Sequence, residues 1–406
     1  MRILFALLVL SALAALGAAP AASHWTLFAG TILDGRGKTI RNATIEVEGS
    51  KIVAVHPGRW GKVNYDFPDA TVMPGIIDTH VHISWHFDAD GKAHDPDKPE
   101  DSEHSLPYGL ESAYATLMGG VTTVRSLGAP ADKLLAQWIR EQPIPGSRIL
   151  TSLTPVDETT GDAEAIRKHV RDMAAQGAEV IKIFASQSIR DGGGPTLSQE
   201  QLNAACGEAK AVGLRSAVHA HGVESVRRAI QAGCTSVEHG ALIDDATLQL
   251  LADHGTYFDP NIELVFQNYF DNKEHFLGVG NYTEEGFARM HDAVPRCLTM
   301  FQHALKVKNL KIVFGTDAVA GAHGRNLEEL VYRVEKGGQN PMDAIVDATS
   351  VSAESLGLEK EIGSIAPGLT ADLIAVPGNP LKDITVFRHV FFVAREGTVY
   401  KNLASR

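Results

Sequence analysis

The segment Met73-Pro-Gly-Ile-Ile-Asp-Thr-His-Val-His82 sets the pattern for the chain. It starts as an apolar run and ends in two histidines separated by one residue. Because successive side chains of a strand point to opposite faces, His80 and His82 are predicted to project to the same side. An apolar strand that delivers two imidazoles to one side indicates a functional site at its carboxyl end.

Further strand-like runs alternate with helical patterns after this segment, in units of roughly 30 residues. We predict eight strands, at 72–80, 121–127, 148–153, 180–185, 215–221, 236–239, 256–260 and 311–316. Helices are predicted at 164–176 and at 199–211, the second opened by a capping box of Ser198 and Gln201. Eight such units predict an α/β protein built on a (β/α)8 TIM barrel. An open doubly wound sheet is the alternative, but no Gly-x-Gly-x-x-Gly follows the first strand.

Both ends of the chain have sequence patterns typical of β-strands. Residues 44–48 and 51–55 alternate apolar and polar side chains around a Gly49-Ser50 turn, which predicts a hairpin. Strand-like segments return at 372–376 and 390–394. We therefore predict a small β-sandwich-like domain that is built from both chain ends.

The first residues resemble a secretory signal peptide. Arg2 supplies a positive charge, and the apolar run at 3–16 is too short to span a bilayer. Small residues at 19–21 offer a cleavage site, so we predict secretion, to the periplasm in a Gram-negative organism, without stable membrane insertion after cleavage. The predicted units are a signal peptide at 1–22, the composite β domain at 23–72 and 359–406, and the hydrolase barrel at 73–358.

Composition excludes several classes of protein. The 406 residues are 44% hydrophobic and 21% charged, as in an ordinary globular enzyme, and the net charge of -12 argues against a nucleic-acid partner. Cys206, Cys234 and Cys297 are too few and too scattered for a disulfide framework, and their odd number leaves at least one thiol unpaired. No Cys-x-x-Cys exists, so any metal is expected on histidine and carboxylate ligands.

Chemically active residues recur along the predicted strands. The fourth strand has Lys182 within a run of Val, Ile and Phe, and a buried ammonium is costly without a partner. The fifth carries His219 and His221, the sixth ends in His239, and Asp317 follows the eighth. Each residue alone has an ordinary structural explanation, but their coincidence at one face of a barrel predicts a site for a divalent metal such as zinc.

Together these segments resemble the amidohydrolase superfamily, and within it the branch of imidazolonepropionase-like proteins and metal-dependent prolidases (Xaa-Pro dipeptidases). The matching segments are residues 73–82, 180–184, 218–222, 237–240, 315–318 and 362–373. The resemblance extends over nearly all of the chain after the predicted signal peptide. It implies a metal-dependent hydrolase of carbon–nitrogen bonds, which in this family often self-associates into homo-oligomers.

The resemblance also implies two divalent metal ions, most simply zinc, and six ligands: His80, His82, Lys182, His219, His239 and Asp317. The two histidines of the first strand and Asp317 would bind the more buried ion, and His219 and His239 the more exposed one. Lys182, carboxylated on its amine, would bridge both ions, which explains its burial because a carbamate is an anion. Asp317 would also act as the catalytic base and acid.

The substrate implied by this branch is a small molecule with an amide or peptide bond and a carboxylate, either an Xaa-Pro-type dipeptide or an N-acyl amino acid. We predict substrate contacts from His221, Tyr257, Arg190 and His323. Two other reactions suit such a site: ring opening of a cyclic amide, as in imidazolonepropionases, and hydrolysis by a lactonase or a phosphotriesterase-like esterase. The polar, acidic segment at 84–106 is predicted to be a solvated insertion.

Overall fold

The computed structural model describes residues 23–94 and 102–404, and the predicted signal peptide lies outside these residues. Its strands are β1 (His24–Leu33), β2 (Thr39–Glu48), β3 (Lys51–Pro57), β4 (Tyr65–Pro74), β5 (Ile76–Val81), β6 (Val121–Ser126), β7 (Arg148–Thr151), β8 (Val180–Phe184), β9 (Arg215–Gly222), β10 (Ser236–Leu242), β11 (Tyr257–Asp259), β12 (Leu373–Pro377), β13 (Phe392–Arg395) and β14 (Thr398–Asn402). Its helices are α1 (Ser102–Met118), α2 (Asp132–Glu141), α3 (Ala163–Ala175), α4 (Gln199–Ala211), α5 (Val223–Gln231), α6 (Asp245–His254), α7 (Leu264–Asp271), α8 (Lys273–Phe276), α9 (Glu284–Ala304), α10 (Leu327–Glu335), α11 (Pro341–Val346) and α12 (Ser352–Leu356). Within these residues no helix has the length and apolar character needed to cross a membrane.

The two ends of the chain join in one seven-stranded sheet, in the order β14-β13-β12-β4-β1-β2-β3. The predicted hairpin is confirmed, since β2 and β3 pair antiparallel around Gly49. A single sheet replaces the predicted sandwich-like arrangement. A hydrogen bond shows that this sheet curls. Trp25 of β1 donates its indole N–H to the carbonyl of Gly397 at 2.8 Å, and Gly397 lies in the turn after β13, although two strands separate β1 from β13 in the sheet. Curling lets one sheet enclose a core that two stacked sheets would otherwise share.

Alternate residues of the central strands bury both faces of this sheet. Leu373 and Ala375 of β12 pack into the core of the curled sheet, whereas Ile374 and Val376 pack into a second core that contains Phe314. The second core includes residues of the parallel strands described next. The composite sheet is therefore fixed against the part of the chain that carries the predicted site.

The middle of the chain forms two parallel sheets, β5-β6-β7 and β11-β10-β9-β8. Single bridges connect their edges: Val156, which follows β7, pairs with Ile183 of β8, and on the other side the segment 312–318 pairs with Phe258 of β11 and Val81 of β5. The structure thus confirms a mixed α/β fold with parallel strands and intervening helices. The ladders between the two sheets are interrupted, so the predicted barrel is not continuously hydrogen-bonded.

The predicted eighth strand, 311–316, is an irregular segment in the structure. Its backbone divides its hydrogen bonds between neighbours: Val313 N–H donates to Phe258 of β11 at 2.9 Å, and its Phe314 carbonyl accepts from Thr79 of β5 at 2.8 Å. A Cβ atom on Gly315 would lie 1.8 Å from Asp259 Oδ2. The close approach of that buried carboxylate explains why glycine occupies this position beside β11.

The predicted first strand, 72–80, is two strands in the structure. β4 ends at Pro74 in the composite sheet, and β5 begins at Ile76 in a parallel sheet. Gly75 lies between them, where a Cβ atom would lie 2.1 Å from Thr122 Oγ1. The apolar run is continuous because both strands are buried, and so it conceals the change of sheet.

Two local predictions can be compared directly with the structure. Helix α4 spans the predicted residues, and the capping box of Ser198 and Gln201 is confirmed. Cys206 of α4 forms a disulfide with Cys234, while Cys297 is a free, buried thiol. The scattered spacing of the cysteines concealed this pair, because only the packing of α4 beside α5 and the turn that follows it brings them together.

Candidate active site

His80, His82 and Asp317 converge at the carboxyl end of β5. His80 Nε2 lies 3.3 Å and His82 Nε2 lies 3.2 Å from the same atom, Asp317 Oδ1. The two histidines are on one side of the strand, as their spacing predicts, and both are buried. Burial raises the pKa of Asp317, but the neighbouring His80 and His82 outweigh this effect and hold its pKa at about 2. Asp317 is therefore an ionised acceptor that faces two imidazole nitrogens.

Lys182 of β8 is buried beside these residues. Its side chain is 1% exposed, and Nζ lies 3.4 Å from His80 Nε2. Burial lowers the pKa of this lysine to about 8, although Glu238 and Asp317 act in the opposite direction. A substantial neutral fraction at neutral to mildly alkaline pH makes the amine nucleophilic, which is the condition that carboxylation by carbon dioxide requires.

His219, His221 and His239 form the other half of the centre. The ring centroids of His219 and His221 each lie within 4.8 Å of that of His239. Burial and the neighbouring His221 lower the pKa of His219 well below its usual value, and burial lowers the pKa of His221 to about 3. These imidazoles are therefore neutral, which is the form that ligates metals. Both His219 and His221 place a ring nitrogen close enough to His239 to share one metal position with it.

Two of these residues have left-handed backbone conformations. His239 has a φ of 75° and Asp317 a φ of 53°. A non-glycine residue with positive φ is uncommon, and such strain concentrates at functional sites. The N–H of Asp317 donates to the carbonyl of His80 at 2.7 Å, which stabilises this conformation.

The donor set fits divalent metal ions. Each of two triads, His80–His82–Asp317 and His219–His221–His239, offers ligand atoms that lie within 4.8 Å of one another. Buried nitrogens that face a carboxylate, or one another, need a proton or a cation between them. Neutral imidazoles and an ionised carboxylate are the ligands that zinc and similar ions take. Both triads open into one cavity of about 550 Å³, and so does Lys182.

Arg190 also lines this cavity, as the sequence predicts. Its guanidinium lies over the ring of Tyr282, 4.0 Å from the centroid, and its Nε donates to Asn281 Oδ1 at 3.0 Å. The hydroxyls of Tyr282 and Tyr269 are 3.0 Å apart. The chain thus places a fixed cation and two phenols at the wall of the cavity.

Tyr257 and His323, the other two predicted substrate contacts, are absent from the residues that line this cavity. The Tyr257 ring packs against Lys311, whose Nζ lies 4.9 Å from the ring centroid, and its hydroxyl interacts with Glu354. His323 is half-buried beside the backbone of His82, and its pKa is lowered to about 4, mainly by desolvation. The geometry does not support a substrate contact from either residue, because their side chains pack behind the site.

The start of the segment at 84–106 is packed against the site, in contrast to the predicted solvated insertion. Trp85 lines the cavity, with its ring centroid 4.3 Å from that of His82. Ser84 and His86 are buried, and His86 stacks on Tyr108. The polar composition of the segment as a whole concealed the inward packing of its first residues, Ser84, Trp85 and His86.

Most of the apolar wall was not anticipated from the sequence. It comes from helices and loops that follow the strands, where no motif marks them. The aromatic and apolar side chains of the cavity are Trp85, Phe184, Ile189, Val265, Phe266, Tyr269, Tyr282, Met290 and Val319. Such a wall suits a substrate that carries an apolar side chain.

Comparison with known proteins agrees with this geometry. A model described as the amidohydrolase family matches residues 71–403. The chain is similar to ochratoxinase from Aspergillus niger, with 26% identity over 430 aligned residues that cover 92% of this chain and 86% of the relative. Its structure resembles an Xaa-Pro dipeptidase with methionine bound in the active site, with 30% identity, a TM-score of 0.84, and coverage of 94% of this chain and 100% of that one. It also resembles a prolidase complexed with N-methylphosphonate-L-proline, with 26% identity, a TM-score of 0.82 and the same coverage.

Proposed function

The chain belongs to the amidohydrolase family and is a hydrolase of amide or peptide carbon–nitrogen bonds, and from that premise we propose that it uses two divalent metal ions. The observation that carries the proposal is the convergence of six side chains at one end of the parallel strands. The proposed ligands are His80, His82, Lys182, His219, His239 and Asp317. Zinc suits this set, and carboxylated Lys182 would bridge the two positions.

Metal ions in such a site would acidify a water molecule and polarise the scissile carbonyl. The chain's own residues supply the remaining chemistry. Asp317 is ionised and accepts the proton of the attacking water, then returns it to the nitrogen that leaves. Arg190 orients the substrate from the wall of the cavity.

The proposed substrate is a small carboxylate-bearing amide, either an Xaa-Pro-type dipeptide or an N-acyl amino acid. Arg190 supports the carboxylate, because a guanidinium held by aromatic rings and Asn281 is well placed to form charge-assisted hydrogen bonds. The two similar structures hold an amino acid, methionine, and an N-substituted proline, N-methylphosphonate-L-proline, and both ligands bear a carboxylate. The related ochratoxinase supports the same general class.

Glu158 bears on the choice between the two substrate types. Asp157 and Glu158 both line the cavity, but the Asp157 carboxylate accepts from the N–H groups of Thr159 and Thr160. Glu158 is exposed, so its carboxylate is available to pair with the free ammonium group of a dipeptide. An N-acyl amino acid lacks that group and would gain nothing from Glu158.

Metal analysis together with a substrate screen tests this proposal. The purified protein is expected to contain about two metal ions per chain and to release a free amino acid from dipeptides or N-acyl amino acids. Lactones, phosphotriesters and cyclic amides serve as comparison substrates. Turnover of one of these in place of linear amides would favour the esterase or ring-opening reaction, and a chain without metal would contradict the proposal.

We also propose a closed barrel, export from the cytoplasm and self-association. The two parallel sheets and the segment 311–318 would form one (β/α)8 barrel of residues 73–358, since single bridges join every neighbouring pair of sheet edges. The disulfide between Cys206 and Cys234 supports export to an oxidising compartment such as the periplasm. Self-association into a homo-oligomer is a further expectation from the family, which size-exclusion chromatography with light scattering would test.

A further inference from the structure

Behind His80, on the side away from the cavity, lies a buried carboxylate that the proposed reaction does not use. Glu238 immediately precedes His239 in β10, and its Oε2 lies 3.3 Å from His80 Nδ1. Both side chains are at most 1% exposed. Among the described residues, neither His80 Nδ1 nor Glu238 Oε2 has a hydrogen-bond partner, and these two unsatisfied atoms face each other. The carboxylate is therefore the polar group that faces this nitrogen.

Arg125 fixes the position of Glu238. Its Nη2 lies 2.9 Å from Glu238 Oε1, and Ser236 Oγ donates to the same oxygen. Arg125 Nε donates to the carbonyl of Thr79 at 2.6 Å, so one guanidinium joins Glu238 to the residue just before His80. All of these side chains are buried. A charge pair in such a place has to be well oriented, because its desolvation is costly.

From this geometry we infer that Glu238 is a positioning residue for His80, and that Arg125 holds it in place. The carboxylate accepts the Nδ1–H of His80, which selects the tautomer whose Nε2 lone pair faces Asp317 and Lys182. A histidine ligand commonly donates its second N–H to a carboxylate, and loss of such a partner costs about 10- to 100-fold in metal affinity. The inference rests on the proposed function. It predicts that Glu238 supports the more buried of the two metal positions, the one that His80 would bind.

The experiment compares metal binding by the parent protein, Glu238→Gln and a matched control, Glu329→Gln. Glu329 is also a buried carboxylate paired with an arginine, Arg333 at 3.0 Å, but no described metal-ligand side chain contacts it. Cobalt is titrated into each metal-free protein and followed by its visible spectrum and by elemental analysis. The melting temperature of each metal-free protein is measured in parallel.

We expect Glu238→Gln to bind one cobalt ion with the parent's affinity and the other about 10- to 100-fold more weakly. Glu329→Gln should lower the melting temperature without changing the ratio of the two affinities. In a His80→Asn background, Glu238→Gln should weaken binding no further, because its effect passes through His80. That cycle separates positioning from a merely structural role.

Parent-like affinity at both positions in Glu238→Gln would overturn the inference. So would an undiminished effect of Glu238→Gln in the His80→Asn background. If the unpaired Arg125 prevents Glu238→Gln from folding, Glu238→Gln is combined with Arg125→Met, which removes the unpaired cation, and is titrated in the same way; parent-like affinity at both positions would again overturn the inference. A parent protein that binds no metal would overturn the proposed function itself, which distinguishes the two failures.

Discussion

The amine nitrogen of Lys182 lies 3.4 Å from Nε2 of His80, and both side chains are buried. A lysine and a histidine at this distance do not stabilise each other as cations, and burial lowers the pKa values of Lys182 and His80 to about 8 and about 4. These lowered pKa values are compatible with a neutral Lys182 amine that carbon dioxide converts to an anionic carbamate.

Lys182→Met should reduce the metal content below that of the parent and lower kcat/KM by at least about 100-fold, since it removes the proposed bridging ligand. Carbon-13 NMR of the parent, loaded with labelled bicarbonate, should show a carbamate signal that the variant lacks. Lys311→Met is the control, because Lys311 pairs with Glu354 outside the cavity. Full metal content and activity in Lys182→Met would contradict the bridging role.

Asp317→Asn should lower kcat by about 100- to 10,000-fold, because an amide cannot accept the proton that the ionised carboxylate takes. The measurement is steady-state hydrolysis of the best substrate from the screen, at several metal concentrations. Because Asp317 is also a proposed ligand, activity is normalised to bound metal. Unchanged hydrolysis per bound metal ion would exclude the acid–base role.

Arg190→Met should raise KM for carboxylate-bearing substrates by roughly 10- to 100-fold, the value of a lost charge-assisted hydrogen bond. The same variant should treat substrates with an amidated carboxyl terminus much as the parent does. Arg289→Met is the matched control, since Arg289 contacts the carbonyl of Arg190 but does not line the cavity. An equal loss on amidated and free substrates would show that Arg190 does not recognise the carboxylate.

Glu263→Gln should stabilise the protein in a pH-dependent way. Burial, with the nearby Glu329 and Glu328, raises the pKa of Glu263 to about 7 from an ordinary value of 4.5. The folded state therefore holds this proton between those two pH values while the unfolded state loses it, so stability from Glu263 falls as pH rises through that window. The glutamine variant should exceed the parent in free energy of unfolding by nearly zero at about pH 4 and by about 1–2 kcal/mol above about pH 7. This range is smaller than the full pKa shift implies, because Glu263 is partly exposed and solvent screens its charge.

Urea unfolding of parent and variant across this pH range measures the effect. Glu335→Gln, an exposed carboxylate that ends α10, is the control and should show no such rise. A constant difference between parent and Glu263→Gln at all pH values would show that folding does not raise the pKa of Glu263.

Thiol counting tests the cysteine assignment. Burial raises the pKa of Cys297 to about 12, so the native protein should not react with a thiol reagent at mildly alkaline pH. The unfolded protein should expose one thiol without reductant and three after reduction, since Cys206 and Cys234 form the disulfide. Three reactive thiols in unfolded, unreduced protein would contradict the disulfide.

The sequence by itself determined the parts of this protein that depend on short spacings. The interval of two between His80 and His82 places both imidazoles on one side of any strand. The capping box of Ser198 and Gln201 fixes where α4 begins. Lys182 within an apolar run already required an unusual partner, because a buried ammonium is too costly to leave alone.

Tertiary structure alone decided the contacts between residues far apart in the chain. Arg190 meets Asn281 across 91 residues, and Glu238 meets His80 only because β10 and β5 face the same interior. Gly75, where the chain changes sheet, and Gly315, in the irregular segment, are approached so closely by Thr122 and Asp259 that no Cβ atom fits. Local propensity carries no information about such approaches, since each is set by which elements pack together and how closely.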